Sequence, residues 1–319
     1  MFENISRVYQ YLGTRGLIVA FYFAALIMIA RLLGKNTLVR SVHNYRLHLD
    51  PDDQGLSRTL FLFGKRELDH YLILHAILKP GMNVLDIGAN IGYYAIMESI
   101  LVGTSGNIMA IEPMLPNIKM LRKNVELNDI KNIEVVHGAV SNQTGIGQMF
   151  VSTHSNLHTF HNEGSAANSL NSRPIDVPTF TLQDVVADQF RPHLLRMDVE
   201  GHEVEILSQL AELAENQVMS PNVIFETHLS RYTTDNDFVP VLRKLFDVGY
   251  KVTKAASSNE AGTKIISKLG YKGSEPFYSD FTHRVIFDNI SDDDAINAIC
   301  RTGGLRTILL ERSNDTPSL

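Results

Sequence analysis

The chain has 319 residues, enough for one large α/β domain with additions, and 44% of them are hydrophobic, which is ordinary for a protein with a packed core. Its net charge of −6 gives no overall basic field, so we expect no nucleic-acid partner. The single cysteine, Cys300, excludes an internal disulfide, suits a reducing compartment and has no neighbour that would make it reactive.

The N-terminus carries an uncharged apolar run of 15 residues, 16–30, between Arg15 and Arg31. This run is shorter than the ~20 residues of a relaxed bilayer crossing. A helix that is apolar on every face has to be covered, and we expect residues 12–33 to associate with a membrane. The alternative is a helix buried against the domain or a partner. Basic residues are more frequent after the run than before it, which predicts a catalytic domain at the cytoplasmic face of the membrane.

Beyond this run, the chain alternates between strand-like and helix-like patterns. Strands are predicted where short apolar or alternating runs occur, and helices where apolar residues recur every three to four positions. The predicted elements are, in chain order, a strand over 45–49, a helix over 67–81, a strand over 83–88, a helix over 93–103, a strand over 107–113, a helix over 117–129, a strand over 133–140, a strand that ends near Asp198 with a helix after it, a strand over 222–228, a helix that ends near Gly249 with a strand after it, and strands over 282–289 and 307–312.

This alternation predicts an α/β fold, a doubly wound and mostly parallel sheet of the Rossmann-like type that follows an apolar N-terminal helix. Because no further domain break is visible, we expect two units, residues 1–36 and residues 37–319. The polar segment 152–173 interrupts the alternation and is predicted to be a long loop. Its histidines are interpreted as solvated side chains and not as metal ligands; they are His154, His158 and His161.

The turn after the first strand of the sheet has the spacing D-x-G-x-N-x-G, from Asp86 through Gly88 and Asn90 to Gly92. Glycines here let a ligand approach the backbone at the carboxyl ends of the strands. A dinucleotide site has the spacing G-x-G-x-x-G instead and gains nothing from an acid. A ligand with an ammonium group would gain a charge-assisted hydrogen bond to Asp86. S-adenosylmethionine carries such a group.

The next two strands end in residues that suit the same ligand. Glu112 ends the second strand, where an acid holds a ribose diol in nucleoside-binding folds. The third strand ends in a turn of small residues, which would cover an adenine edge. The predicted cofactor-binding residues are therefore Asp86, Gly88, Asn90, Gly92, Tyr93, Glu112, Gly138 and Ala139.

Over roughly residues 60–250 the sequence resembles the FkbM-type S-adenosylmethionine-dependent methyltransferases. The resemblance rests on the motifs VLDIGANIGYYA, AIEP, VVHGAVSNQTG, TLQDVV, LLRMDVEGHEVEIL and VIFETH, of which DVEGHE is the most specific. It implies a class I methyltransferase that methylates hydroxyl oxygens of sugars, glycans or polyketide-type natural products. A glycan or lipid-linked saccharide is the expected acceptor, because the polar segment 152–173 offers many hydroxyl and amide groups.

An alcohol is a weak nucleophile, so O-methylation is helped by a base or a metal beside the acceptor. Asp198 and Glu200 follow the fourth strand and Glu226 and His228 end the fifth, which makes these four the predicted catalytic residues. His228 could be a general base oriented by Glu226 or Asp198. Asp198, Glu226 and His228 could instead hold Mg²⁺. In a third, structural alternative, Asp198 and Glu200 cap the helix that follows.

Two other functions share part of this pattern. A NAD-dependent Rossmann-fold oxidoreductase would also have a glycine turn and an acid after the second strand, but not this spacing. A non-catalytic membrane adaptor would retain the cofactor pocket without transferring a methyl group.

Overall fold

The computed structural model of the protein describes residues 2–53, 55–150, 174–187 and 190–312. The predicted polar loop over 152–173, with His154, His158 and His161, lies outside these ranges. Within them the α-helices are α1 Phe2–Leu32, α2 Leu56–Phe63, α3 Leu68–Ile77, α4 Tyr93–Val102, α5 Leu115–Leu127, α6 Leu182–Ala187, α7 Glu203–Glu215, α8 Phe238–Asp247, α9 Glu260–Lys268 and α10 Asp292–Cys300.

The strands of the described residues include the predicted ones, but the predicted strand over 282–289 is divided at Val285 into two strands of different sheets. The described strands are β1 Leu38–Val42, β2 Tyr45–Leu49, β3 Asn83–Ile87, β4 Asn107–Glu112, β5 Ile133–His137, β6 Ala139–Val140, β7 Gly145–Phe150, β8 Pro174–Phe180, β9 Leu194–Met197, β10 Asn222–Glu226, β11 Tyr250–Ser257, β12 Phe277–Ser279, β13 Thr282–Arg284, β14 Ile286–Ile290 and β15 Leu305–Arg312.

The central sheet has eight strands in the order β14-β11-β15-β10-β9-β3-β4-β5. The five strands from β5 to β10 are parallel, whereas β15 runs antiparallel between β10 and β11, and β14 pairs antiparallel with β11. The sheet is therefore mostly parallel, as predicted. The chain winds outward from β3 to β5 and then returns to β9 on the other side of β3. Ligands of such sheets bind at this switch point, beyond the carboxyl ends of the strands.

Both faces of the sheet are covered, because successive side chains of a strand point to opposite faces. Leu85 and Ile87 of β3 belong to one hydrophobic cluster, together with residues of α7 and α8. Val84 of the same strand points to the opposite face and belongs to a second cluster with residues of α3 and α4. This arrangement explains why the strands of the sheet are continuous apolar runs.

The predicted strand over 133–140 is divided in two, which corrects the sequence-based boundary. Gly138 separates β5 from β6 with a φ of +153°. A Cβ atom at Gly138 would lie 2.4 Å from the Phe180 ring. This close approach lets β6 leave the central sheet and pair with β8 in a separate sheet of order β6-β8-β7.

The N-terminal helix α1 is interrupted at Gly13, which has a φ of 62° and a ψ of −159°. Its second half lies on the domain: the Phe23 and Phe61 ring centroids are 5.9 Å apart, and the Arg40 guanidinium lies 3.9 Å from the Phe23 ring. In the described part of the chain, no helix combines the length and the apolar character that a bilayer crossing needs.

Candidate functional site

A cleft opens at the switch point, beyond the carboxyl ends of β3, β4 and β9. Its lining includes most of the predicted cofactor residues and the two predicted catalytic residues that follow β9, namely Gly88, Asn90, Tyr93, Glu112, Gly138, Ala139, Asp198 and Glu200. The other four predicted residues, Asp86, Gly92, Glu226 and His228, are not among the described residues that line it. The fold thus brings part of each predicted group to one cleft.

The turn after β3 requires glycine at two positions. Gly88 has a φ of +79°, and a Cβ atom there would lie 2.5 Å from the carbonyl oxygen of Asp198. Gly92 has a φ of +90°, and a Cβ atom there would lie 2.4 Å from Leu121 Cδ1. Positive φ values are costly for other residues. The first glycine lets the turn pack against the end of β9, and the second lets α4 pack against α5.

Glu112 is a buried carboxylate at the end of β4. Its Oε1 accepts hydrogen bonds from the Met114 N–H (2.9 Å) and from Asn117 Nδ2 (3.1 Å), and its Oε2 accepts one from the Asn90 N–H (2.9 Å). Burial raises the pKa of Glu112 to about 7, although these three donors favour the ionised form. The side chain joins the β3 turn to the β4 turn and lines the cleft where the sequence predicts a ribose.

Asp86 does not line the cleft, although the sequence predicts that it binds the ammonium group of the cofactor. It is fully buried, and its Oδ1 accepts a hydrogen bond of 3.0 Å from Arg196 Nη1. The Arg196 guanidinium also lies 4.2 Å from the Tyr94 ring and 3.7 Å from Asp198 Oδ2. Arg196 therefore stands between Asp86 and the cleft and takes the place of the predicted ligand ammonium. Arg196 was not predicted, although it is the one cation in the otherwise apolar LLRM strand.

The two tyrosines that begin α4, directly after the glycine turn, hold the segment before α3. The Tyr93 hydroxyl donates to the Arg66 carbonyl at 2.9 Å, and the Tyr94 hydroxyl donates to Glu67 Oε2 at 2.8 Å. Arg66 and Glu67 line the cleft and form an ion pair. Tyr93 thus contributes to the cleft mainly by positioning Arg66.

His228 lies within a group of three carboxylates. Its Nδ1 is 3.2 Å from Glu203 Oε1, while its Nε2 is 3.6 Å from Glu200 Oε2 and 3.8 Å from Asp198 Oδ1. Glu203 is fully buried and was not predicted. Its Oε2 accepts the Gly201 N–H at 2.9 Å, so the turn before α7 is closed by Glu203.

The charge of His228 argues against the hypothesis that it is the general base. Burial by itself lowers its pKa, but Glu203, Glu200 and Glu226 together raise the pKa of His228 to about 10. The imidazole is therefore protonated at neutral pH and has no lone pair with which to accept a proton. Burial raises the pKa of Glu200 to about 7, and the nearby positive charge of His228 opposes that rise. Glu200 is thus the group of this cluster whose pKa suits proton transfer at neutral pH.

Glu226 is paired with a residue from the other end of the chain. Arg306 of β15 lies 2.7 Å from Glu226 Oε1 and 3.4 Å from Glu67 Oε1. Burial opposes ionisation of Glu67, but Arg66 and Arg306 hold the pKa of its carboxyl well below the usual range. Neither arginine was predicted, because no sequence motif connects them with the site.

The metal-ligand set that the sequence suggests, Asp198 with Glu226 and His228, is divided between two groups. Ligand atoms of Asp198, Glu200 and His228 lie within 4.8 Å of one another, and so do those of Glu67, Asp198 and Glu226. The second group already has Arg66 and Arg306 as counter-charges. Of these two groups of described residues, only the first could accept a hard divalent cation such as Mg²⁺, and its imidazole would have to lose a proton before it could bind the metal.

Comparison with known proteins matches the chain to a methyltransferase family. The family model described as the methyltransferase FkbM domain matches residues 86–252. A probable cobalt-precorrin-6B C(15)-methyltransferase (decarboxylating) of Sulfolobus acidocaldarius is 27% identical over 88 residues, which are 28% of this chain and 46% of that protein. A protein-L-isoaspartate O-methyltransferase of Methanothrix thermoacetophila is 34% identical over 61 residues, which are 19% of this chain and 29% of that protein. The chain thus spans less than half the length of these curated relatives.

Among solved structures, M. jannaschii TYW2 in complex with AdoMet is 11% identical and has a TM-score of 0.40, with 87% of each chain covered.

Proposed function

The chain belongs to the FkbM methyltransferase family, and on this premise we propose that it is an S-adenosylmethionine-dependent O-methyltransferase that methylates a hydroxyl of a glycan, lipid-linked saccharide or related natural product. The observation that carries the proposal is a single cleft with two chemically different ends. Glu112 and the glycine turn form one end. Asp198 and Glu200, backed by His228, form the other.

The first end has the properties that a nucleoside cofactor requires. The Glu112 carboxylate is fixed by three N–H donors and retains oxygen lone pairs that can accept from ribose hydroxyls. Gly88 and Gly138 allow close approach to the backbone. When bound, S-adenosylmethionine supplies an electrophilic methyl group on a sulfonium centre.

At the second end, the acceptor oxygen would attack the methyl carbon while the carbon–sulfur bond breaks, and the hydroxyl proton would pass to a base. We assign that base to Glu200, which lines the cleft and has a pKa of about 7. A base whose pKa lies near the working pH is the most effective one. His228, held by Glu203, would orient Glu200 and keep a positive charge beside it.

The side chains around this end favour an acceptor with several hydroxyl groups. The carboxylates of Asp198 and Glu200 can accept hydrogen bonds from hydroxyls, and the guanidinium of Arg66 can donate to them. This alternation of acceptors and donors supports a saccharide better than a flat apolar molecule. The cytoplasmic face of a membrane as the place of the reaction, and the absence of a nucleic-acid partner, remain predictions.

The proposal is tested in two steps with the full-length protein. Titration calorimetry with S-adenosylhomocysteine should show binding, and a folded sample that binds none would contradict the proposed cofactor. Methyl transfer from radiolabelled S-adenosylmethionine into lipid and polysaccharide fractions of the source cell should then label one of them.

The same measurements separate the two rival functions. Enhanced NADH fluorescence on mixing, without S-adenosylhomocysteine binding, would indicate an oxidoreductase. Binding of S-adenosylhomocysteine without transfer to any fraction would indicate the adaptor.

A further inference from the structure

The side of α1 that points away from the domain, here named the outer face, is a contiguous apolar surface. Five of its large side chains, and that of Leu33 directly after the helix, are between 59% and 81% exposed; the five are Ile18, Phe21, Tyr22, Met28 and Leu32. Single exposed apolar residues are common on protein surfaces and need no explanation. A contiguous exposed patch, in contrast, marks a surface that binds something.

The opposite side of α1 is already occupied by the domain itself. Phe23, Ile27 and Ala30 recur at spacings of four and three, which places them on one side of the helix. Phe23 and Ile27 pack against the cluster that includes Phe61, and Ala30 is buried. Because this side is held by the domain, the helix runs along the domain surface, and its outer face stays exposed among the described residues.

Charge indicates which kind of surface would cover it. Residues 4–49 contain no Asp or Glu, although the whole chain has a net charge of −6. The same stretch contains six basic residues: Arg7, Arg15, Arg31, Lys35, Arg40 and Arg46. Three of them also bond within the protein, since Arg31 pairs with Asp52, and Arg40 and Arg46 donate to the carbonyl oxygens of Phe61 and Leu127. A basic segment beside an apolar helix face is complementary to the anionic headgroups and acyl chains of a membrane. A second copy of the chain would instead bring two such basic segments together.

We propose that the outer face of α1 inserts in the plane of an anionic lipid bilayer while the opposite side stays packed on the domain. This inference rests on α1 alone and goes beyond the proposed methyl transfer. It also has a consequence for the cleft, because α2 packs against α1 and its first residue, Leu56, lines the cleft. A membrane-bound molecule would therefore hold the cleft close to the headgroups.

The absence of tryptophan from the chain permits a direct test. Phe21→Trp places a single indole on the outer face. Val218→Trp is the matched control, because Val218 is also exposed but precedes β10, at the end of the sheet opposite the cleft. Each full-length variant is mixed with vesicles of 70% phosphatidylcholine and 30% phosphatidylglycerol, with or without brominated acyl chains. We expect the emission of Phe21→Trp to shift to the blue and to be quenched at least twofold by the brominated lipid, and that of Val218→Trp to stay unchanged.

Co-sedimentation with the same vesicles provides an independent measurement. Wild-type protein should sediment with the anionic vesicles, and several-fold less with pure phosphatidylcholine. The triple variant Phe21→Gln/Met28→Gln/Leu32→Gln should lose at least tenfold in the bound fraction and keep the wild-type circular dichroism spectrum and S-adenosylhomocysteine affinity. A wild-type protein that stays in the supernatant overturns the proposal. So does a blue-shifted Phe21→Trp emission without lipid that rises with protein concentration, because a second copy then covers the face.

Discussion

The imidazole of His228 is held from behind by Glu203, with Nδ1 3.2 Å from Oε1. Glu203 is itself fixed, because its Oε1 accepts the Tyr232 hydroxyl at 2.6 Å and its Oε2 accepts the Gly201 N–H at 2.9 Å. The backbone N–H of His228 donates in turn to the Tyr232 hydroxyl at 2.9 Å. The imidazole therefore has one orientation, with Nε2 directed at Asp198 and Glu200.

Glu203→Gln should lower the pKa of His228 from about 10 towards its ordinary value, because Glu203 is the largest single influence that raises it. A raised histidine pKa stabilises the fold fully below pH 6.5, and this stabilisation is lost as the pH rises through about 10. The variant should therefore be less stable at pH 7, by about 3–5 kcal/mol for a broken buried pair. Imidazole proton titration by NMR measures the shift. Glu205→Gln, which removes the partner of His202 instead, should leave the His228 titration unchanged.

Glu200→Gln should reduce the rate of methyl transfer by roughly 10²–10⁴-fold while leaving S-adenosylhomocysteine affinity unchanged. In the wild type, the rate should rise with pH through about 7, as the Glu200 carboxyl loses its proton. The pH–rate profile of the purified enzyme checks this expectation. A rise near pH 10 would point to His228 as the base after all.

Removal of divalent cations should leave the rate of methyl transfer unchanged, because His228 and Glu200 provide the charges that the proposed reaction needs. The measurement compares turnover before and after EDTA treatment and dialysis. Activity that is lost on chelation and returns with Mg²⁺ would show that Asp198, Glu200 and His228 hold a metal.

Glu112→Gln should weaken S-adenosylhomocysteine binding about 10–100-fold, because a hydrogen bond to a charged group contributes ~1.5–3 kcal/mol. In addition, the substitution replaces one carboxylate oxygen with an NH₂ group, whereas in the wild type both oxygens accept hydrogen bonds from backbone N–H groups. Titration calorimetry measures the loss. Glu134→Gln, an exposed glutamate on the neighbouring strand β5, should bind like the wild type; equal losses in both variants would point to a general effect of charge.

Gly88→Ala should destabilise the fold more than Gly270→Ala. Both glycines have positive φ values, +79° and +98°, which cost an alanine about 1–2 kcal/mol. At Gly88 the new Cβ would lie 2.5 Å from the Asp198 carbonyl oxygen. At Gly270 the new Cβ would have no atom within 4 Å apart from those of its chain neighbours. Urea unfolding compares the two, and equal losses would show that the close approach to β9 is not important.

The parts of the fold that depend on local pattern could be predicted from sequence. Short apolar runs predict strands β3, β4, β9 and β10. Helical spacing and glycines at the helix ends predict the helices that follow the first three of these strands, namely α4, α5 and α7. The resemblance to the FkbM family is confirmed by the match over residues 86–252. It could be identified from the sequence because the family motifs lie at the ends of these strands. The predicted roles of the individual site residues remain predictions.

The parts of the site that depend on distant pairing could not be predicted. Arg306 and Glu67 are 239 residues apart in sequence and meet only because β15 inserts beside β10. The pairing of Asp86 with Arg196 depends likewise on the register of β3 against β9. A carboxylate at the end of a strand indicates chemistry, but the sequence alone does not show which cation will neutralise it.

The position of β15 also determines the order in which the protein can be completed during synthesis. This strand lies between β10 and β11, both of which leave the ribosome before it. Until residues 305–312 emerge, the nascent sheet has two open edges of apolar strand, the kind of surface that recruits chaperones or aggregates. The same strand carries Arg306, the counter-charge of Glu226. Closure of the sheet and pairing of the partly buried Glu226 carboxylate are therefore one late event, so that the candidate site is completed only when β15 joins the sheet.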